Sequence, residues 1–273
     1  MIGMNTHPLT LLLVGCGKMG GALLQRWQDT RIANISVIDP NDLDCHAPGV
    51  SHHKNLESLS QNYIPDIVVF AVKPPQLPHI LPAYRRRFES NPLYISIAAG
   101  KTIEFFRKHL GDDIRIVRAM PNTPAMVGEG ITILCKTNSL SDKDKNSAEI
   151  LMQVTGGIGW TEDESLMDGV TAISGSGPAY VFLLLDALTK AGVDAGLGVE
   201  LARTLALKTV AGSCDLATRS PGQSFEQLRK NVTSPGGTTE AALKVLMEDD
   251  ALETLIKKAV CAAAKRSGEL SNE

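Results

Sequence analysis

The fold is decided near the beginning of the chain, where residues 11–20 read LLLVGCGKMG. A short apolar run leads directly into Gly15, Gly17 and Gly20, in the pattern G-x-G-x-x-G, and helical spacing follows over 19–29. In a strand–turn–helix unit of this kind, the first glycine permits a tight turn and the second lets the backbone approach a pyrophosphate. The third lets the helix pack closely on the strand. The pattern therefore predicts a dinucleotide-binding unit rather than a purely structural turn.

Similar apolar runs, rich in Val and Ile and bounded by Gly, Pro, Asn or Asp, recur along the first half of the chain. They are residues 35–38, 67–72, 94–98, 114–117 and 131–134. Segments between them, such as 102–110, carry helical spacing. Short continuous apolar runs are typical of strands that are buried on both faces of a parallel sheet. Their alternation with helices predicts an α/β protein with a Rossmann-type doubly wound parallel sheet.

The composition of the chain changes beyond about residue 163. Ala, Leu, Gly and Lys dominate there, and no run has the pattern of a strand. Helical spacing covers residues 180–191, 199–217, 224–230 and 239–265. We therefore predict a dinucleotide-binding Rossmann domain over 1–163 and an all-helical C-terminal domain over 164–273. Residues 180–188 are apolar on more than one face, and such a helix has to be buried. A subunit interface is the expected place, which predicts a homodimer or a larger homo-oligomer.

Composition excludes several classes of protein. With 43% apolar residues, 21% charged residues and a net charge of −3, the chain is neither disordered nor basic enough to indicate nucleic-acid binding. Its five cysteines are widely spread without a C-x-x-C pair, which argues against a zinc site or a disulfide framework and fits a reducing compartment. The start has no basic signal region, and the longest uncharged stretch, 169–185, is expected to fall just short of a membrane span. A cytoplasmic protein without a metal or a membrane partner is expected.

Asp39 ends the second predicted strand, about 20 residues after the last glycine of the motif, where a carboxylate commonly binds the adenosine ribose hydroxyls. The sequence Asp-Pro-Asn-Asp over 39–42 is also strong turn chemistry, and both roles are compatible. A carboxylate there repels a 2′-phosphate, and no Lys or Arg occurs in 39–53 to neutralise one. The sequence therefore favours NADH over NADPH.

Three further segments follow predicted strands: 71–75 (AVKPP), 97–100 (IAAG) and 120–124 (MPNTP). Open α/β sheets bind their ligands at the carboxyl ends of the strands. The small residues of the second segment would let a flat ring lie against the backbone. Each segment taken alone is also compatible with an ordinary turn.

The helical half contains two motifs, SGSGPAY at 174–180 and NVTSPGGTTE at 231–240. The second sets hydroxyls, glycines and free N–H groups immediately before a helix predicted to begin near Thr239. Such an arrangement can bind a small carboxylate or phosphate. A helix cap also favours Ser and Thr, but four hydroxyl residues within seven positions exceed what a cap requires.

On these motifs, and above all on 174–180 and 232–239, the chain resembles the pyrroline-5-carboxylate reductase family from residue 11 to about 264. The resemblance implies hydride transfer from NADH or NADPH to the cyclic imine 1-pyrroline-5-carboxylate, giving L-proline in the last step of proline biosynthesis. It also implies a dimer through the helical domain. Many family members have polar or basic residues where this chain has Asp39, so the usual phosphate-binding assignment does not transfer directly.

The resemblance further implies the site residues. Those toward the cofactor are Gly15, Cys16, Gly17, Lys18, Met19 and Gly20 at the pyrophosphate, Asn55, Ala71, Val72, Lys73 and Pro74 on the adenosine side, Ala98, Ala99, Gly100 and Asn122 toward the nicotinamide, and Asn231 from the helical domain. Asp39 is placed at the ribose by its spacing from the glycine motif and not by the resemblance. Those toward the substrate are Glu164, Ser234, Gly237, Thr238 and Thr239.

Thr239 is the predicted catalytic residue, as the hydroxyl that binds the ring nitrogen. All six histidines lie in the first 110 residues, so the helical half offers none to take a proton from an alcohol. An imine reductase does not need one.

Two alternatives remain at this point. A β-hydroxyacid dehydrogenase also joins a dinucleotide domain to helices, but it needs a lysine inside the helix that follows its Ser-Gly segment. Here the first lysine after 174–178 is Lys190, at the far end of that helix. A non-catalytic nucleotide-binding protein is the second alternative, because fold alone does not establish catalysis.

Overall fold

The computed structural model describes residues 9–30, 33–43, 49–136 and 140–271. The chain forms two compact units, one of Met1–Ser176 with Ala263–Glu273 and one of Gly177–Ala262. The units therefore divide further along the chain than the change in composition at 163/164. Met167 lies in the core of the first unit, and the Ser267 hydroxyl donates to Asp168 Oδ1 at 2.7 Å, so both of these segments pack with the sheet.

The described residues of the first unit contain an eight-stranded sheet with the strand order β3-β2-β1-β4-β5-β6-β7-β8. The strands are β1 (Leu9–Val14), β2 (Ala33–Ile38), β3 (Ser51–His53), β4 (Ile67–Phe70), β5 (Leu93–Ser96), β6 (Arg115–Met120), β7 (Gly130–Lys136) and β8 (Gly156–Thr161). The helices of this unit are α1 (Lys18–Thr30), α2 (Leu77–Arg87), α3 (Ile103–Leu110), α4 (Asp142–Gln153) and α5 (Met167–Val170), followed by a π-helical turn over Thr171–Gly175.

The predicted doubly wound sheet is confirmed, with one correction. β7 pairs with β6 in the antiparallel direction, whereas all other neighbouring strands are parallel. The connection 121–129 is shorter than the dozen or so residues that a parallel crossover needs, so the chain can only turn back on itself. Two strands, β3 and β8, were not predicted from sequence. The first is only three residues long, and the second is rich in glycine.

The core explains why the strands read as unbroken apolar runs. Leu12 and Val14 of β1 belong to a cluster on one face of the sheet, whereas Leu11 and Leu13 belong to a cluster on the other. Alternate side chains of a strand point to opposite faces, so every position is buried when helices cover both. Trp27 of α1 is fully buried in the second cluster, and its indole N–H donates to the Leu151 carbonyl at 2.7 Å.

The second unit is helical. Its described residues contain no strand, in agreement with the sequence-based prediction for the chain beyond 163. Its helices are α6 (Gly177–Asp194), α7 (Val199–Thr218), α8 (Phe225–Asn231), α9 (Thr238–Met247) and α10 (Ala251–Leu270), the last of which ends in the first unit. The stretch 239–265, which has helical spacing throughout, forms two helices, because the chain breaks between α9 and α10. Asp249 and Asp250 have φ of 51° and 53°, which no α-helix accommodates.

Large apolar side chains of this unit are exposed in the single chain, among them Phe182 (66%) and Leu183 (69%) of α6. The helical stretch Glu164–Asp194 also meets the length and hydropathy of a membrane-crossing helix, contrary to the expectation that it would fall short. Length and composition alone are weak support for a membrane span, since an apolar helix in a protein interface has the same properties.

Candidate cofactor and substrate sites

The carboxyl ends of the central strands lie side by side. Val14 of β1 is in register with Ile38 of β2 on one side and with Phe70 of β4 on the other. The residues that follow these three ends therefore meet at one edge of the sheet, which is the ligand-binding edge of an open α/β fold.

The three glycines of the glycine-rich turn differ in what a side chain would meet at each position. Gly15 has a φ of +90°, and a Cβ atom there would lie 2.7 Å from Val72 Cγ1 and 2.9 Å from the Ala71 carbonyl carbon. A Cβ on Gly20 would collide with the Gly15 carbonyl oxygen, so helix α1 approaches the turn closely. A Cβ on Gly17 would meet nothing within 4 Å. Gly17 therefore leaves an open backbone face at the start of α1, where a pyrophosphate would bind.

Asp39 links this turn to the end of β2. Its Oδ2 accepts a hydrogen bond from the Cys16 N–H at 2.7 Å, and its Oδ1 accepts from the Asn41 N–H at 2.9 Å. The imidazole Nε2 of His52 lies 3.0 Å from the Asp39 carbonyl oxygen. The carboxylate is thus held at the mouth of the glycine-rich turn.

A cavity of about 700 Å³ opens between the ends of β1, β2 and β4 and helix α2, a size typical of cofactor pockets. Seven of the predicted cofactor residues line it: Gly15, Gly17, Asp39, Asn55, Ala71, Val72 and Lys73. The side chain of Asn55 also caps the short helix Leu56–Ser58 by accepting from the Ser58 N–H at 3.0 Å. The other predicted cofactor residues do not line this cavity.

Sequence reasoning missed several residues of the cavity wall, including Lys54 and residues of α2 such as His79, Ile80 and Tyr84. Burial raises the pKa of the Tyr84 phenol. Lys54 is the first lysine or arginine after Asp39 along the chain. Its ammonium pairs with Asp42, and this contact lowers the pKa of the Asp42 carboxyl. The signal for α2 was available, because a helix that follows a ligand-binding strand end faces the same site.

The predicted nicotinamide-side residues follow β5 and β6. The Ala98 N–H donates to Ser96 Oγ at 3.3 Å, and Gly100 has a φ of +75°. The side-chain oxygen of Asn122 accepts from the Ile131 N–H at 2.9 Å, which holds the beginning of β7.

Glu164 lies near these segments, and its Oε1 already has two partners. It accepts from the Ile103 N–H at 2.8 Å, at the start of α3, and from Arg118 Nη1 at 3.1 Å. Arg118 is only 4% exposed, so the carboxylate neutralises a buried cation.

The hydroxyl-rich turn of the second unit leads into α9, which begins at Thr238 with Gly237 as its N-cap. The Gly237 N–H donates to the Ser234 carbonyl at 3.0 Å, and the Gly236 N–H donates to Glu240 Oε2 at 2.7 Å. The first N–H groups of α9 have no intrahelical acceptor. Within the described chain, the hydroxyls of Ser234, Thr238 and Thr239 have no hydrogen-bond partner either.

This combination of free hydroxyls, free N–H groups and the positive end of a helix dipole is suited to a small carboxylate. Thr233 differs from the other three hydroxyl residues, because its hydroxyl donates to the Arg229 carbonyl at 2.7 Å.

The Asn231 side-chain amide donates to Gln223 Oε1 and accepts from Gln227 Nε2, both at 2.8 Å. Among the residues that the structure describes, no group of His, Cys, Asp or Glu side chains is arranged to bind a metal ion.

Comparison with known proteins adds independent findings. Residues 164–270 match the family model for pyrroline-5-carboxylate reductase dimerisation, and residues 10–100 match a model for coenzyme F420-dependent NADP oxidoreductases. Pyrroline-5-carboxylate reductase of Pseudomonas aeruginosa is 36% identical over 267 residues, which cover 96% of this chain and 97% of the relative. The enzyme of Pisum sativum is 40% identical over 268 residues, with 96% of each chain covered.

Solved structures agree with these sequence matches. Plasmodium falciparum pyrroline carboxylate reductase with NADP bound superimposes with a TM-score of 0.87 at 33% identity, covering 98% of this chain and 100% of that one. The enzyme of Coxiella burnetii also gives a TM-score of 0.87, at 37% identity, covering 97% and 99%. Since both the sequence and the fold match over nearly the full length, the chain belongs to the pyrroline-5-carboxylate reductase family.

Proposed function

We propose that the protein is a pyrroline-5-carboxylate reductase, which reduces the cyclic imine 1-pyrroline-5-carboxylate to L-proline as the last step of proline biosynthesis. The observation that carries this proposal is the turn before α9, where three hydroxyls and the first N–H groups of a helix are free, in a chain whose other unit has a dinucleotide-binding edge. A nucleotide-binding protein without a small-anion substrate would not require such a turn.

A reduced nicotinamide, when bound, would supply the hydride for the imine carbon of the substrate, which is C2 of the pyrroline ring and becomes C5 of L-proline; the electron pair of the C=N bond would move to nitrogen. The protonated imine is already strongly electrophilic, so the chain has to hold two molecules in contact and exclude water. We assign the substrate carboxylate to Ser234, Gly237 and Thr238. Thr239 is the catalytic residue of the proposal, because its free hydroxyl is suited to bind the ring nitrogen and orient its proton.

The glycine-rich turn fits a dinucleotide, since Gly17 leaves room for a pyrophosphate and the cavity beside it reaches Asp39. We assign the pyrophosphate to residues Gly15, Cys16, Gly17, Lys18, Met19 and Gly20. The adenosine half is assigned to Asn55, Ala71, Val72, Lys73 and Pro74, and the nicotinamide half to Ala98, Ala99, Gly100 and Asn122. Asn231 is assigned to the cofactor from the helical unit. A substrate role for Glu164 would depend on its Oε2, because Oε1 is bound to Ile103 and Arg118.

We further propose a preference for NADH. The Asp39 carboxylate is held at the ribose end of the cavity, where it repels a 2′-phosphate. Lys54, which could offset this repulsion, shares its charge with Asp42. The test is kcat/KM with each coenzyme for the parent chain and for Lys54→Met. NADH is expected to give the higher value, and the lysine variant to lose efficiency with NADPH alone. A clear NADPH preference of the parent chain would reject the proposal.

The assembly that we propose is a homodimer, or a larger homo-oligomer, formed through the helical unit. The dimerisation model that matches 164–270 and the exposed apolar side chains of α6 support it. A cytoplasmic location is proposed as well, in line with the reducing compartment that the widely spread cysteines of the sequence indicate.

The decisive experiment adds 1-pyrroline-5-carboxylate and follows the absorbance of reduced nicotinamide, with L-proline measured as product. A β-hydroxyacid with oxidised coenzyme serves as the parallel assay for the alternative dehydrogenase. Coenzyme oxidation that depends on the imine is expected, with no activity on the hydroxyacid. Absence of imine-dependent oxidation would overturn the proposal.

A further inference from the structure

A nearly buried lysine lies directly after the predicted nicotinamide-side residues. Lys101 is 3% exposed, and it follows the turn formed by Ala98, Ala99 and Gly100, which we call the 98–100 turn. Removing an ammonium group from water is costly unless the protein provides compensating partners. No role in substrate or cofactor binding has been assigned to this side chain, so its partners indicate what it does.

Those partners are the end of α10 and an aromatic ring of α3. Lys101 Nζ donates to the Leu270 carbonyl oxygen at 3.2 Å and lies 5.0 Å from the ring centre of Phe105. The last carbonyls of a helix lack intrahelical donors and form the negative end of its dipole, so they stabilise a cation placed there. The aromatic face adds a further favourable contact.

The same helix end also packs against the turn itself. A Cβ atom on Gly100 would lie 2.9 Å from Leu270 Cβ and 3.2 Å from the Ser267 carbonyl oxygen, so only glycine allows this approach at a φ of +75°. The helix end is held in turn by Ser267, whose hydroxyl donates to Asp168 Oδ1 at 2.7 Å. The 98–100 turn is therefore held against the end of α10 by one charged hydrogen bond and one close backbone contact.

We infer that Lys101 is a positioning residue, which holds the 98–100 turn against the end of α10 so that the nicotinamide half of the cofactor has a fixed surface to bind. This inference rests on the proposed function for the location of the nicotinamide. It goes beyond that proposal in assigning Lys101 and the last turn of α10 to the cofactor site. The adenosine half of the cofactor binds at the cavity beside β2, so it should not depend on Lys101.

The test compares two ligands that share the adenosine half. ADP-ribose lacks the nicotinamide, whereas NADH carries it, and both dissociation constants are measured by calorimetry on the full chain. Lys101→Met is expected to raise the Kd of NADH about tenfold, the effect of losing one hydrogen bond to a charged group. The Kd of ADP-ribose should stay within about twofold. Lys136→Met is the matched control, because Lys136 of the same unit pairs with Glu162 away from the turn.

A second variant keeps the inference testable if Lys101→Met does not fold. Gly100→Ala leaves all charges unchanged but forces the turn away from Leu270, and it should also weaken NADH selectively. The inference is wrong if either folded variant raises the Kd of NADH and the Kd of ADP-ribose equally, or leaves both unchanged. Lys101 would then be only a structural residue. Failure of the parent chain to bind NADH at all would instead refute the proposed function. Because neither ligand is the imine, the outcome does not depend on the identity of the substrate.

Discussion

The glycine-rich turn allows a prediction in which neighbouring glycines fail in different ways when each is replaced by alanine. Gly15→Ala places a Cβ atom 2.7 Å from Val72 Cγ1 at a φ of +90°. The unfavourable backbone conformation costs about 1–2 kcal/mol, and overpacking costs about 1–3 kcal/mol. The variant should therefore lose about 2–5 kcal/mol of folding free energy, and at about 2–4 °C per kcal/mol its Tm should fall by roughly 4–20 °C.

Gly17→Ala is expected to affect coenzyme binding and not stability. The added Cβ atom meets nothing within 4 Å, and the backbone is not in the left-handed region, so stability should stay within about 1 kcal/mol of the parent chain. The new methyl group nevertheless occupies the face where a pyrophosphate would approach the backbone. Loss of a charge-assisted hydrogen bond there costs about 1.5–3 kcal/mol, which is roughly ten- to a hundredfold in the Kd of NADH.

The assay is thermal unfolding of both variants without coenzyme, followed by calorimetric titration with NADH. The Tm of Gly15→Ala should be lower than that of the parent chain. Gly17→Ala should have the Tm of the parent chain but a higher Kd for NADH. The reasoning is refuted if Gly17→Ala binds NADH as tightly as the parent chain, or if it is destabilised as much as Gly15→Ala.

Thr239, the Glu164–Arg118 pair and helix α6 each allow a further test. Thr239→Ala should lower kcat by about ten- to a thousandfold, with Thr239→Ser keeping most of the activity, and unchanged steady-state kinetics would remove Thr239 from the mechanism. Glu164→Gln should lower the free energy of unfolding by about 1–3 kcal/mol in denaturant titrations, because Arg118 is left buried without its carboxylate, whereas full stability would show that the pair contributes nothing. Phe182→Asp combined with Leu183→Asp should convert the oligomer to monomers in sedimentation experiments, since both side chains are exposed in the single chain; an unchanged sedimentation coefficient would place the interface elsewhere.

Much of the architecture could be predicted from the sequence by itself. Strands buried on both faces are apolar at every position, so the runs that became β1, β2, β4, β5, β6 and β7 stand out from the helices between them. The glycine-rich turn and the hydroxyl-rich turn could also be predicted from the sequence. Both depend on residue types that are close together in the chain, glycines in one case and hydroxyl residues in the other. Local signals of this kind also placed the beginning of α9 within one residue of the structure.

Only the tertiary structure decided the features that depend on distant segments. The break at Asp249 and Asp250 has no local marker such as Gly or Pro. Lys54 and Lys101 look like ordinary surface lysines in the sequence, yet one lines the cofactor cavity and the other is buried against the end of α10. Whether a charge is solvated or buried depends on which remote backbone groups surround it, and no local pattern of residues encodes that information.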